Sequence, residues 1–112
     1  MKWISTFIFS LVVVLLSSPV FSWDGVVEGK ISRLDVSNGD VAGYRVMLKN
    51  VSSMCTRGWD WAYLNHNDTN YNAFISTLLA AKVSGTTVKI HSNHDASSQQ
   101  YCHIGYIMLM EN

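Results

Sequence analysis

The chain has 112 residues, 48% of them hydrophobic, with eight Lys/Arg against eight Asp/Glu and two cysteines. A neutral chain of this length has no field with which to hold a phosphate backbone or an anionic lipid surface, so general nucleic-acid binding is excluded as an expectation. The length suits one small domain with a modest core.

Met1–Ser22 reads as a secretory signal peptide. Lys2 supplies the positive start, Phe7–Leu16 is apolar apart from Ser10, Ser17-Ser18-Pro19 breaks the helix, and Val20-Phe21-Ser22 suits a signal peptidase. The run is too short, and too soon followed by polar sequence, for a membrane span, so no membrane association is expected after cleavage. Without it, 90 residues remain, Trp23–Asn112, and the loss of Lys2 leaves a formal charge of −1. Export to a secreted or periplasmic location makes a Cys55–Cys102 disulfide the expectation. It closes a loop of 48 residues, worth roughly 4 kcal/mol in the chain-entropy description. No C-x-x-C spacing favours metal-binding or redox thiols instead.

Along the exported part, Val26–Val36 reads as a long first strand. Its apolar residues change phase between Ile31 and Leu34, which predicts a bulge or bend, with Gly29 as the expected site. Ser37-Asn38-Gly39-Asp40 is a turn, because Asn-Gly tolerates positive φ. Tyr44–Lys49 alternates as a second strand, and Trp59–Leu64 as a third. Asn65–Asn70 is rich in turn formers, with Asp68, Thr69 or Asn70 as candidate side-chain caps for a helix over Tyr71–Val83 closed by Gly85. Thr86–His91 is a fourth strand, Ser92–Gln100 a polar loop, and Tyr101–Met110 a fifth strand with Cys102, Ile104, Tyr106, Met108 and Met110 in one phase.

The order β-β-β-α-β-β predicts an OB-fold, a mainly β, five-stranded, partly open barrel with one helix plugging an end. A plain α+β sandwich has the same element order.

Two stretches carry a family resemblance. One is the Gly-centred opening strand Val26-Val27-Glu28-Gly29-Lys30-Ile31. The other is Phe74–Ile90, in which a Leu-Leu-Ala-Ala-Lys helix, the Gly85 cap and a Thr-Val-Lys-Ile strand follow without a gap. On these the chain resembles the small secreted bacterial domains related to the B subunits of subtilase cytotoxin and pertussis-type toxins, and the placement of Cys55 and Cys102 fits. The resemblance implies a non-enzymatic OB-fold subunit that binds cell-surface glycans, often as a homo-oligomer, a ring of five. In subtilase-type subunits the sialic-acid pocket uses a serine just before the strand's glycine. Glu28 occupies that position here, with Lys30 and Arg33 as the basic neighbours that would offset its charge.

From the residues themselves, Trp59-Asp60-Trp61-Ala62-Tyr63 is the densest candidate surface. An exposed indole covers the flat C–H face of a sugar while a carboxylate takes its hydroxyls. The competing reading is that alternating rings form the core face of the strand. The candidate ligand-binding set is therefore Glu28, Arg33, Trp59, Asp60 and Trp61. His91, His94, Asp95 and His103 match no closed zinc site, so no metal is expected, and no cofactor. No nucleophile elbow or other ordered catalytic motif brackets the serines and histidines, so an enzyme is not expected. Two functions stay open: a glycan or cell-surface binding module, and a secreted or periplasmic protein-interaction domain that works without sugar.

Overall fold

The computed structural model describes residues 22–111, so the expected signal peptide lies, apart from Ser22, outside the described residues. Five strands and one helix follow in the expected order: β1 Gly25–Val36, β2 Tyr44–Leu48, β3 Ala62–Leu64, α1 Tyr71–Ser84, β4 Thr87–Asp95 and β5 Ser98–Leu109. They close a barrel in the sequence β1-β2-β3-β5-β4, the OB-fold arrangement. All neighbours are antiparallel except β3 and β5, which run parallel through Ala62–Cys102 and Tyr63–His103.

β1 serves both halves of the barrel. Gly25–Lys30 pairs with β4 and Ile31–Val36 with β2. The expected irregularity is present, but it falls at Ser32, between Ile31 and Arg33, and not at Gly29, which lies in regular register with Val88. The extra residue turns Leu34 back onto the interior after Val27 and Ile31 have faced it.

Inside the barrel, Ile31, Val46, Leu48, Leu64, Val88, Ile90 and Ile104 pack with Leu78 and Ala81 of α1. Each fully buried aliphatic side chain contributes about 2 kcal/mol from removal of apolar surface. α1 ends at Gly85 in a left-handed conformation (φ 71°), whose N–H bonds the Ala81 carbonyl. Its start differs from expectation. Asn70 is itself left-handed and no side chain caps the helix; instead the Asp68 carbonyl accepts the Tyr71 N–H, and the Asp68 carboxylate accepts the N–H of Asn65 at 2.8 Å.

Three further boundaries are corrected. The turn after β1 extends to Gly43, whose carbonyl accepts the Ser37 N–H at 2.7 Å, and its left-handed residue is Ala42 rather than Gly39. β3 has three residues and begins at Ala62, after both tryptophans. The expected Ser92–Gln100 loop is mostly the tip of a long β4–β5 hairpin, with Asp95 opposite Ser98. In that hairpin Gly105 is a bulged residue, skipped between the pairs Ser92–Ile104 and His91–Tyr106. It moves Tyr106 and Met108 off the interior phase and puts Ile107 onto it.

Cys55 and Cys102 form the disulfide, with Cα atoms 5.8 Å apart. The bond ties the loop after β2 to β5. Gly58 makes room for it: a Cβ there would lie 2.3 Å from the Cys102 sulfur.

Candidate functional site

β3 is covered on both sides. Ala62 and Leu64 face the barrel interior, while Tyr63 and the adjacent Trp61 turn outward onto a second cluster with Ala42, Met47 and Tyr101. Register explains the assembly. Arg33 of β1 lies opposite Met47, Asp35 opposite Arg45, Arg45 opposite Tyr63, and Tyr63 opposite His103. One outer face thus collects polar and aromatic side chains from four strands.

The rings pack at steep angles, Trp61 edge to face with both Trp59 and Tyr101. Trp61 lies 4.9 Å from Tyr101 and 5.4 Å from Trp59, and Trp59 lies 5.4 Å from Tyr101. The Arg45 guanidinium sits 4.1 Å above the Trp61 ring, and its Nε donates to the Ala42 carbonyl at 3.2 Å. Trp61 is consequently only 6% exposed, whereas Trp59 is 47% exposed. The two tryptophans therefore do not form a paired platform. Trp61 is the buried floor, and Trp59 is the exposed ring held on it. The Trp59 backbone is fixed on both sides, its N–H on the Gln100 carbonyl and its carbonyl on the Met54 N–H.

Asp60 is exposed beside Trp59. Arg33 is exposed on the same outer face and bonds Asp35 at 2.8 Å. Asp35 raises the Arg33 pKa above its ordinary value through that bond and its charge, and Asp60 adds a smaller contribution. Arg33, Asp60, Trp59 and Trp61 thus share one region. Glu28 does not join them. It is exposed on the β1–β4 half, opposite Lys89, and makes no ion pair among the described residues.

Sequence reasoning missed Arg45, Asp35 and Tyr101. Arg45 also lines a cleft of about 250 Å³ with Asp35, Val36, Ser37 and Gly43. The alternation of β2 had put Arg45 and Met47 on its polar phase, but only the register with β3 brings that phase over Trp61.

Below the rings, Tyr63 stacks on His103 at 4.9 Å and donates its hydroxyl to the Asp95 carboxylate. Burial, then this bond, raises the Tyr63 pKa, so the phenol stays protonated. The Ser97 N–H, the Tyr63 hydroxyl and the Ser97 hydroxyl hold Asp95 below the usual carboxylate range. His103 Nε2 meets Asp68 at 2.7 Å. The other histidines go elsewhere: His94 to Asp24 and the Thr56 carbonyl, His91 between Trp23 and Tyr106. Among the described residues no three His, Cys, Asp or Glu side chains group as a metal site.

No protein-family model, curated protein or solved structure matches this chain.

Proposed function

We propose that this protein is an exported, non-enzymatic binding module that recognises a glycan or a similar hydroxyl-rich group on a cell surface, as the resemblance to toxin B subunits implies. The observation that carries the reading is Trp59: a half-exposed indole clamped on Trp61 and Tyr101. A rigid ring on an open surface covers one face of a sugar at little entropic cost, and Asp60 beside it accepts hydroxyl hydrogens. Arg33 and Arg45 supply donors at the rim. Export is supported by the signal-like leader and by the disulfide. No helix among the described residues is long and apolar enough to cross a membrane.

The test is a glycan array probed with the disulfide-bonded protein and with Trp59→Ala. Binding to a defined sugar set that Trp59→Ala abolishes supports the proposal. No binding across diverse sugars removes it.

The second reading is a protein-interaction domain. Leu79 and Val83, one turn apart on α1 and 53% and 80% exposed, favour it, because an apolar helix face is a common protein contact. A pull-down from the native compartment that captures one protein through this face, with no sugar affinity, decides for it.

A further inference from the structure

We infer that the uncovered edge of β5 is a self-association surface, on which β5 of a second copy of this chain pairs antiparallel about a two-fold axis. The inference is independent of sugar binding and rests on a mismatch of strand lengths. β3 has three residues and β5 has twelve, and β3 reaches only Cys102 and His103. From Ile104 to Leu109, β5 has β4 on one side and, among the described residues, no strand on the other.

The hydrogen-bonding direction along that stretch follows from one bond. The Met110 N–H donates to the Thr87 carbonyl at 2.9 Å. Antiparallel pairs alternate between bonded and non-bonded, so the bonded pairs continuing from it are Lys89–Met108 and His91–Tyr106. Ile107 and Leu109 therefore point their N–H and C=O groups away from β4, and among the described residues no backbone group meets them.

Exposed edges are usually blunted by Lys, Pro, inward charges or a bulge. The bulge at Gly105 lies at the start of the stretch, and Tyr106-Ile107-Met108-Leu109-Met110 beyond it stays in regular register with β4 and carries no charge and no proline. Tyr106, Met108 and Leu109 are 51%, 38% and 51% exposed. Beside Gly105, Tyr106 and Ile107 a groove of about 290 Å³ opens toward Ala73, Phe74 and Thr77 of α1. An edge of free amides and uncharged side chains calls for a strand, and an antiparallel edge is complementary to itself under a two-fold axis. The absence of charge also removes the repulsion two identical edges would otherwise meet. A second one-neighbour stretch, Ile31–Val36 of β1, is less suitable, because it carries the charged pair Arg33–Asp35.

The experiment is sedimentation velocity of the disulfide-bonded protein over a concentration series, with amide exchange read at Ile107 and Leu109. The expected result is a two-chain particle in which both amides slow as concentration rises. Leu109→Lys and, separately, Met108→Lys lose the dimer, since each sets like charges across the pairing; near-unchanged thermal midpoints show that the fold survives. Val83→Lys on α1 leaves the dimer intact. A monomer at every concentration, a dimer that both β5 lysine variants leave intact, or a particle of more than two copies overturns the inference.

Discussion

The two faces of β3 are buried by different chemistry. Inward, Ala62 and Leu64 meet aliphatic side chains in a closed interior. Outward, Trp61 and Tyr63 meet rings, an arginine and a carboxylate, and that layer opens to solvent at Trp59. A domain this small gains burial by covering its sheet on the outside as well as the inside. The inner layer contributes stability alone. The outer layer adds directional groups around an accessible ring, which is what recognition needs.

The contrast can be broken in order of effect. Replacing both cysteines with serine removes the loop constraint and is expected to cost about 4 kcal/mol, read as a lower midpoint in urea denaturation. Leu64→Ala, at the closed face, should cost about 3 kcal/mol by the same measurement. Arg45→Ala should cost about 1 kcal/mol, because it uncovers Trp61 without emptying a cavity, and should shift indole fluorescence. A loss as large as that of Leu64→Ala would erase the distinction between the layers. Trp59→Ala should change stability least, by about 0.5 kcal/mol, while removing ligand binding.

A pH experiment sharpens the same comparison. Asp95 is held below its ordinary pKa in the folded state. Its stabilising contribution is therefore fully present above the unfolded carboxylate value and is lost as pH falls through the folded one. Denaturation of Asp95→Asn and the parent should diverge near neutrality and converge in strong acid. Parallel curves across that range would show that Asp95 does not tie the hairpin tip to Tyr63.

The fold was legible because its signals are local. Period-two runs at Tyr44–Leu48, the helix over Tyr71–Ser84, the Gly85 cap and two cysteines in an exported chain all act through near neighbours or through one bond. The errors came where distant segments decide. Gly29 looked like the bend because glycine is permissive, but the strand changes partners at Ile31, so the extra residue falls at Ser32. Polar Ser92–Gln100 looked like a loop, but it is carried by ladder bonds, by the Asp24 carboxylate accepting the His94 N–H and by Tyr63 donating to Asp95. Gly105 hid a phase change, and Trp23 now fills the space a Cβ would need there, its ring 2.4 Å from that position. At the site, the alternation of Trp59 and Trp61 gave them one role, and they have two. Both precede β3, but the Arg45 guanidinium covers Trp61 and leaves Trp59 open. Arg45 joins through strand register, which no single stretch of sequence encodes.

The most direct measurement is a two-dimensional NMR titration of the disulfide-bonded protein with the sugars selected on the array, followed at the indole N–H resonances and backbone amides. Saturable shifts are expected at the Trp59 indole and the Asp60 amide, with Leu64 and Leu78 of the interior unmoved. Saturable shifts confined to other surfaces, with Trp59 and Asp60 silent, would contradict it.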